Sequence, residues 1–434
     1  MVTNQTVTKP RIGLASIVGA GSIGTLMEWY IFFIFTTGAL YIERSFFPKS
    51  DPALGLIYVF LVYAIGFFFR PVGGFIFGHL GDRTGRNSTL VVTILVAGLS
   101  GGLIGVLPTY AQFGWGAVAL LVILRAISGI SLGGEWGGAM ILGLENIKKR
   151  KGFYAAFVQS TVGIGLILGS LAFLLTTKSV GSVAMYNFGW RIPFLLSFVI
   201  LAVGLYLRLR IPDTPMFSAV KKENKVLRNP IGQVFRKYPK ELILGIFISG
   251  VGAFFSFGVS FYTVILEANK IIPLTLGFTG LIIAGLTQTI VTFLSGAITD
   301  RIGRKPTVII SAVMFLVIAF PAFVFMSVTS FYIYSFLFPF SMALGYAPNG
   351  AIVSEIFPTN IRYSGSSLTY QIGNAYLTGP TALLSKIFYV FNPLLAPLWG
   401  VFISIGMIVA VIVLPETKDV DLETVVKVTK TVPK

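Results

Sequence analysis

The chain has 434 residues, of which 55% are hydrophobic and 11% are charged, and its mean hydropathy is +0.85. Soluble domains carry about 25% charged residues, so this composition excludes a soluble globular protein and indicates an integral membrane protein. In a soluble chain the net charge of +17 would suggest nucleic-acid binding, but in a membrane protein it indicates basic loops that set topology, and we expect no nucleic-acid partner.

Twelve apolar segments are long enough to cross a bilayer, which takes roughly 20 helical residues. In chain order they are 13–40, 54–77, 89–107, 115–142, 154–176, 190–209, 241–267, 274–299, 306–328, 331–353, 366–390 and 394–414. The sequence therefore predicts an all-α integral membrane protein with twelve transmembrane helices.

A polar loop motif follows the second segment and recurs after the eighth. Its matching positions, each 218 residues apart, are Gly78, Asp82, Gly85 and Arg86 in the first copy and Gly296, Asp300, Gly303 and Arg304 in the second. A constant offset indicates an internal duplication. We therefore expect two six-helix bundles.

The long polar stretch near the middle of the chain predicts the boundary between these bundles. We expect a tail at 1–12, bundles at 13–209 and 241–414, a linker at 210–240 and a second tail at 415–434. Of the 33 Lys and Arg residues, 25 fall on the side of the termini, 5 on the opposite side and 3 inside predicted helices. The positive-inside rule then places both termini in the cytoplasm of a multi-pass plasma-membrane protein.

Charged residues inside the predicted helices are functional candidates, because each costs at least about 2.5–3.5 kcal/mol at a helix centre. Glu28, Arg70, Arg125 and Glu135 are the central ones. A buried carboxylate can load and release a proton as its surroundings change, so Glu135 and Glu28 are predicted to couple transport to protons. The arginines are the natural anchors for a substrate carboxylate. The alternative is a permanent Glu–Arg pair that only joins helices.

Uncharged polar and aromatic residues inside the spans prefer the bundle interior or a wet cavity. The predicted substrate-binding set, besides the two arginines, is Tyr30, Gln159, Tyr262, Asn349, Tyr370, Gln371 and Asn374. Packing against lipid or against other helices is the alternative for each aromatic member.

No enzymatic constellation is present in the sequence. There is no Cys nucleophile, the single His79 precludes a multi-histidine metal site, and no phosphate-binding loop follows a strand. We therefore expect no enzymatic activity, no cofactor and no metal.

Several motifs together resemble a known family. They are the loop motif with its second copy, Glu28-Trp29-Tyr30, Phe69-Arg70-Pro71-Val72-Gly73-Gly74, Gly133-Gly134-Glu135-Trp136, Gly189-Trp190-Arg191, Asp213-Thr214-Pro215 and Glu355-Ile356-Phe357-Pro358-Thr359. The chain is similar to the major facilitator superfamily, and within it to the metabolite:proton symporters, which include carriers of 2-oxoglutarate, citrate, shikimate, and proline with betaine.

This resemblance implies two bundles that rock around a midplane site in a monomer. It also implies a gate in which Asp82 lies near a helix N-terminus of the other half and Arg86 pairs with Glu145. The full predicted gating set is Gly78, Asp82, Arg83, Gly85, Arg86, Glu145, Asp300, Arg301, Arg304 and Glu355. The chain departs from the family pattern at Ile31, where Asp is common, and at Asn87, where a basic residue is usual.

The sequence therefore predicts a proton-coupled importer of a small polar metabolite, an organic acid or zwitterion, that works by alternating access. The expected partners are this substrate, protons and the lipid bilayer. Two alternatives stay open: a uniporter or proton-driven exporter of small organic compounds, and a transporter-like sensor that moves no substrate.

Overall fold

The computed structural model describes residues 14–48, 52–84, 86–145, 150–209, 230–358 and 361–418. The predicted tail 1–12, Gly85, residues 210–229 of the predicted linker and residues 419–434 of the second tail lie outside this part. The side chains of Gly78, Asp82, Arg83, Arg86 and Glu145 also lie outside it, so the first copy of the loop motif has no side-chain description.

Nine α-helices are described in the first half of the chain, residues 14–209. They are α1 Leu14–Thr37, α2 Ala39–Phe46, α3 Pro52–Phe68, α4 Arg70–Thr84, α5 Arg86–Ile104, α6 Tyr110–Phe113, α7 Trp115–Glu145, α8 Lys151–Ala184 and α9 Arg191–Leu209. A π-helical turn, Met185–Gly189, joins the last two. We call this part the N-half.

The described part of the second half, residues 230–418, contains eleven further α-helices and is called the C-half. They are α10 Pro230–Lys237, α11 Pro239–Ser249, α12 Gly252–Phe255, α13 Thr263–Ala268, α14 Leu274–Ile302, α15 Arg304–Ala319, α16 Pro321–Val324, α17 Val328–Glu355, α18 Arg362–Gly373, α19 Thr381–Phe391 and α20 Leu398–Val413. Two π-helical segments, Ser256–Tyr262 and Asn374–Thr378, interrupt the seventh and eleventh spans.

These helices account for all twelve predicted spans. Among the described residues, 8 helices are long and apolar enough to cross a membrane, and a ninth span results when α1 and α2, bent by 63°, are taken together. The other three are the shorter apolar helices Val91–Ile104 and Arg191–Tyr206 and the interrupted helix from Arg362 to Phe391. The predicted all-helical fold with two six-helix bundles is confirmed.

Pro71 explains why Arg70 lies at a helix break. Proline has no amide N–H, and its ring clashes with the carbonyl four residues earlier, so it interrupts the second span at Phe69. The new helix α4 begins at Arg70. The motif therefore places a guanidinium at a proline-disturbed turn near the middle of a span that runs from Leu54 to Phe77.

Glycines on α7 allow it to pack backbone against backbone on the second span. A Cβ at Gly129 would overlap the carbonyl of Gly66, and a Cβ at Gly133 would overlap the carbonyl of Arg70. Such small-residue spacing permits close helix contact in membranes. The contact fixes Arg70 against α7.

The two halves meet mainly through α8 and α14, with further contacts of α7 with α18 and of α3 with α19. We call the end of the bundle at which Lys151, Asp300 and Glu355 lie the motif end, and the opposite end, at which Glu43 and Glu267 lie, the far end. Phe33 with Phe255 and Phe173 with Phe278 pack across the interface toward the far end.

Candidate functional site

A small cavity lies between the two halves. Its N-half wall consists of Trp29, Phe33, Tyr63, Phe67 and Val162, and its C-half wall consists of Gly252, Phe255, Ser256, Met342, Tyr346, Asn374 and Thr378. The cavity measures about 20 Å³, which is room for about one water molecule and not for a metabolite. The structure therefore represents a closed conformation, and the walls must separate to admit a substrate.

Arg70 and Arg125 lie directly behind the aromatic wall. Their side chains are 2% and 0% exposed. The Arg70 guanidinium carbon is 4.4 Å from the centre of the Phe67 ring and 5.0 Å from those of Trp29 and Phe32. Arg125 is 4.4 Å from Phe35 and 4.7 Å from Phe32. The two cations thus share the Phe32 ring, and aromatic faces stabilise their charges.

These guanidiniums lack hydrogen-bond acceptors. Within the described residues, Nε, Nη1 and Nη2 of Arg125 and Nε and Nη2 of Arg70 have no hydrogen-bond partner. A buried charge normally has a partner, because an unpaired one is costly. Glu28 is within electrostatic reach of Arg70, but neither arginine forms a salt bridge in this part of the chain. The arrangement leaves donors available to an anion that the described part of the chain does not supply.

The two predicted proton-coupling carboxylates are buried in the N-half. Glu28 is 2% and Glu135 0% exposed, and neither lines the cavity. The Glu135 carboxylate lies against α1 at Gly24, where a Cβ would overlap its oxygens. Both residues are therefore shielded from bulk water in this conformation.

An aromatic stack closes the motif-end side of the cavity. Trp136 of the N-half lies parallel to Tyr370 of the C-half, with ring centroids 3.5 Å apart and planes inclined by 6°. The Tyr370 hydroxyl is 2.7 Å from that of Tyr346, which lines the cavity. Trp136 Nε1 donates to Gln159 Oε1 at 3.0 Å, and Gln159 Nε2 donates to the Tyr346 carbonyl at 3.1 Å. This stack must part before a substrate can leave at the motif end.

Two further amides connect the halves beside this stack. Gln371 Nε2 donates to the Gly133 carbonyl at 3.1 Å. Gln288 Oε1 accepts from the Gly163 amide at 2.8 Å, and its Nε2 donates to the Gln159 carbonyl at 3.1 Å. Gln159 and Gln371 therefore hold the halves together in this conformation, whereas the sequence predicted them as substrate ligands. Gln288 and Trp136 were missed as members of this network.

The remaining predicted substrate ligands are spread over both halves. The Tyr30 hydroxyl donates to the Pro193 carbonyl at 2.7 Å, and that of Tyr262 donates to the Ala322 carbonyl at 3.1 Å, each within its own half. Asn349 Oδ1 is 3.4 Å from the Ser249 hydroxyl. Asn374 is the member of the predicted set that lines the cavity. Sequence reasoning missed Ser256, Tyr346 and Thr378 on the same wall.

The second copy of the loop motif joins the halves at the motif end. Helix α8 begins after Arg150, which provides no side-chain cap. Instead, the Asp300 carboxylate of the C-half accepts from the amides of Gly152 and Phe153, both at 2.9 Å. A carboxylate satisfies the free amides of a helix N-terminus and complements the helix dipole. The family resemblance implied this geometry for Asp82, and Asp300 is the matching residue of the second copy.

Arg304 supports Asp300 from the next helix. Its Nη1 is 2.7 Å from Asp300 Oδ1, and its Nη2 is 3.4 Å from Glu355 Oε1. The pair of Arg304 with Glu355 matches the pairing that the sequence predicted for Arg86 with Glu145. Arg301, also predicted here, has an exposed side chain. The described motif is therefore a charge network centred on Asp300.

Residues after the last helix complete this network. Glu416 accepts from the amides of Arg304 at 2.9 Å and Lys305 at 3.1 Å, and the Thr417 hydroxyl donates to Glu355 Oε2 at 2.6 Å. Partial burial opposes ionisation of Glu416, but these and neighbouring amide hydrogen bonds outweigh it and lower its pKa. Glu416 therefore keeps its charge, and its cap on α15, to lower pH than an unperturbed glutamate does.

Replacing Asp300 should loosen the motif end. The variant Asp300→Asn loses the charged cap on α8, worth about 0.3–1 kcal/mol, and so should raise the open population about two- to fivefold. The chain has no cysteine, so Ser367→Cys, beside Gly137 of the other half, gives a clean reporter. We expect faster modification of Cys at 367 by a maleimide in the purified protein.

The matched control is Arg301→Gln, which removes an exposed charge from the same helical turn. It should leave the modification rate unchanged. Equal rates for the Asp300→Asn and unaltered backgrounds would contradict a role of Asp300 in closure.

Comparison with known proteins identifies the family to which the chain is similar. A family model described as Major Facilitator Superfamily matches residues 12–382. A shikimate transporter of Escherichia coli (strain K12) is 33% identical over 408 residues, covering 87% of this chain and 90% of the relative. A proline/betaine transporter of the same strain is 29% identical over 381 residues, covering 83% and 75%. The proton:xylose symporter XylE of E. coli has the same fold, with a TM-score of 0.75 at 16% identity, covering 96% of this chain and 98% of that chain.

Proposed function

Because the chain belongs to the major facilitator superfamily, we propose that it is a proton-coupled symporter that takes up a small organic acid or zwitterion by alternating access. The family and the relatives are membrane transporters and not enzymes, so the chain is a multi-pass membrane transporter of small molecules. Three properties are proposed beyond this: the class of substrate, the proton as the coupling ion, and uptake as the direction of transport.

The observation that carries the proposal is the pair of unpartnered guanidiniums behind the cavity wall. Arg70 and Arg125 are buried and hold several N–H donors without acceptors among the described residues. A carboxylate accepts two parallel hydrogen bonds from one guanidinium and neutralises its charge. A substrate carboxylate that enters the opened cavity would therefore relieve the cost of burying these cations.

Proton coupling is assigned to Glu135, with Glu28 as second carboxylate. Both are buried in the same half as the arginines, and a carboxylate that moves between a dry and a wet environment binds and releases a proton. One structural neighbour is a proton:xylose symporter, which supports this assignment by analogy of fold. In this proposal Ile31, where Asp is common in the family, leaves Glu28 as the carboxylate of the first span.

Alternating access is assigned to the contacts at the motif end. The Asp300 cap, its Arg304 and Glu355 partners and the Trp136–Tyr370 stack all cross or support the interface between the halves. The Asp300 cap and the Trp136–Tyr370 stack cross the interface and must break for the cavity to open there, whereas the Arg304 pairs lie within the C-half. The excess of basic residues on this side supports a cytoplasmic motif end with both termini in the cytoplasm, and we propose a monomer as the working unit.

A ligand screen followed by flux measurements tests this function. Purified protein is screened by thermal shift against carboxylic acids, amino acids and betaines, because a ligand that binds the folded state raises its apparent stability. Ligands that bind are then assayed in proteoliposomes. Uphill uptake driven by a pH gradient supports the proposal, downhill flux that ignores the gradient supports a uniporter, and binding without flux supports a sensor.

A further inference from the structure

We propose that Glu267 makes closure of the far end depend on pH. The halves close there only when the Glu267 carboxyl group has taken up a proton from the aqueous side next to it, and the group returns this proton to the same side when the halves part. The inference rests on the proposed function, which assigns alternating access to the two halves. It gives the far end a gate that differs in kind from the charge network of the motif end.

Glu267 is an acidic residue enclosed where the two halves meet. It lies in α13, the part of the seventh span that follows the π-helical segment, and it is 9% exposed. Its carboxyl group packs on α14, where a Cβ at Gly277 would overlap Oε1. Helix α13 also packs against α2 of the N-half. The carboxyl group is therefore part of the contact that closes the far end.

An aromatic cluster of the N-half covers this position. Tyr41 is buried, and its ring lies parallel to that of Phe173 at 5.9 Å and is 4.8 Å from that of Tyr186, measured between centroids. Phe173 in turn contacts Phe278 of the C-half at 5.7 Å. Glu267 is within electrostatic reach of Tyr41 and Tyr186. Opening of the far end must part these rings and so admits water to Glu267.

The Glu267 carboxyl group has no salt bridge or side-chain hydrogen bond within the described residues. Arg44 of α2 and Lys270, which follows α13, have exposed side chains, and the Arg44 guanidinium carbon lies 4.7 Å from the centre of the Tyr186 ring. Helix α14 has no ionisable residue before Asp300 at the motif end. The other ionisable residues around α13 are acidic or phenolic: Tyr41 and Glu43 of α2, Tyr186, Tyr262 of the π-helical segment and Tyr334 of α17. A carboxylate anion would therefore be buried here without a group that neutralises it.

The burial of this unpaired group sets the direction of the pH effect. A buried ion costs several kcal/mol, so the closed far end accommodates the neutral carboxyl group. In the open state the group meets water, where a glutamate ionises above about pH 4.3. Opening therefore releases a proton and closing takes one up, so a higher pH favours the open far end.

The proton on Glu267 is distinct from the transported one. In an alternating-access cycle the far end stays shut while the motif end opens, so Glu267 stays enclosed and exchanges its proton with the far side alone. Glu135 and Glu28 keep the coupling role proposed for them. With the far end facing outward, an acidic medium would favour closure, in the same direction as the proton gradient that drives uptake.

A single-cysteine reporter tests this gate without substrate or gradient. The chain has no Cys, and the buried Thr177 lies one helical turn beyond Phe173 on the face of α8 that meets α14. Thr177→Cys is placed in the unaltered and the Glu267→Gln backgrounds, and modification of both purified proteins by a maleimide is timed at several pH values. The ratio of the two rates cancels the titration of the thiol itself. We expect this ratio to rise by up to about tenfold per pH unit between about pH 5.5 and 7.5, the limit for one proton.

Glu43→Gln is the matched control, because Glu43 is an acidic residue at the same end whose carboxyl group packs beside Gly55 within the N-half. The pH dependence in this background should equal that of the unaltered protein. Glu267→Met, which has a similar length and no ionisable group, should behave as Glu267→Gln does and replaces it if the amide impairs folding.

A rate ratio that stays constant with pH overturns the inference, and so does a pH dependence that Glu43→Gln removes as fully as Glu267→Gln. Uptake driven by a pH gradient would still uphold the proposed function in either case. Conversely, a protein that shows no such uptake can still show the pH-dependent reporter, so the two failures are distinguishable.

Discussion

Arg125→Met is expected to weaken carboxylate binding by about 100-fold or more while raising the thermal stability of the ligand-free protein. The affinity loss follows from two charge-assisted hydrogen bonds to a carboxylate, each worth about 1.5–3 kcal/mol. The stability gain follows from the burial of a cation whose Nε, Nη1 and Nη2 lack partners in the described residues. Met fills a similar volume against the same rings without the cost of an unpaired charge.

The sign of the stability change distinguishes a binding residue from a structural one. Aromatic rings at 4.4 and 4.7 Å offset part of the cost of the buried charge, by up to about 2 kcal/mol per desolvated contact. The penalty of several kcal/mol per buried ion opposes this, and we expect it to be the larger because no N–H of Arg125 has an acceptor in the described residues. In the proposed mechanism Arg125 would thus lower the stability of the free protein and contribute to ligand binding, as residues of functional sites commonly do.

Arg191→Met is the matched control for this prediction. Arg191 lies in the same half, and its Nη1 donates to the carbonyls of Gly105 at 3.0 Å and Leu107 at 2.6 Å. Its loss should lower the melting temperature and leave ligand affinity unchanged, the opposite of Arg125→Met on both measurements. Thermal unfolding and equilibrium binding on the purified variants give both readouts. Unaltered carboxylate affinity in Arg125→Met would contradict the assignment.

Glu135→Gln is expected to abolish uphill uptake while exchange of internal for external substrate continues. The amide is close to the carboxylate in shape and fits the same space against Gly24, but it binds no proton at any pH. The substrate would still be carried between the two sides, because in the proposed mechanism its carboxylate binds to the arginines and not to Glu135. Accumulation under a pH gradient and counterflow, both in proteoliposomes, separate the two activities.

Glu43→Gln provides the comparison for this variant. Glu43 lies at the far end, where its carboxylate packs beside Gly55 away from the cavity. Accumulation by this variant should match that of the unaltered protein. Normal accumulation by Glu135→Gln would instead remove Glu135 from the coupling mechanism.

The fold was predictable because its determinants are local. Span positions follow from hydropathy alone, and the loop motif and its duplicate mark the two halves. The family resemblance implied a helix N-terminus of the other half as the partner of Asp82, and the structure shows such a contact for Asp300, the matching residue of the second copy. Pro71 fixes the break beside Arg70 by sterics within a single turn. The span positions needed no information from distant parts of the chain.

The site was less predictable because it depends on contacts between the halves. Tyr262 and Asn374 are both polar residues in spans of the C-half, yet Tyr262 bonds to Ala322 in its own half and Asn374 lines the cavity. Ser256 and Thr378 lie in π-helical segments and line the cavity. The hydrophobic pattern of the sequence does not reveal where an α-helix changes to a π-helix, so these positions could not be predicted. Trp136 was seen only as part of a motif, because its partner Tyr370 lies in the other half.

The closed conformation suggests how the motif-end contacts, the cavity and the two arginines would act together in a transport cycle. The Asp300 cap and the Trp136–Tyr370 stack keep the motif end shut, and the cavity between them and the far end has room for about one water. Opening separates the aromatic wall from the C-half hydroxyls and exposes the arginine donors. The cost of burying the two cations again without an anion would then favour closure around a loaded carboxylate over closure of the empty protein.

The most direct test of the central claim is accumulation of a carboxylate in proteoliposomes whose interior is more alkaline than the medium. A ligand from the screen is supplied outside, and a trapped dye reports the internal pH. Proton-coupled symport predicts accumulation of the ligand above its external concentration, with internal acidification that depends on the ligand and disappears in Glu135→Gln. Uptake that stops at equal concentrations, with no ligand-dependent change of internal pH, would contradict it.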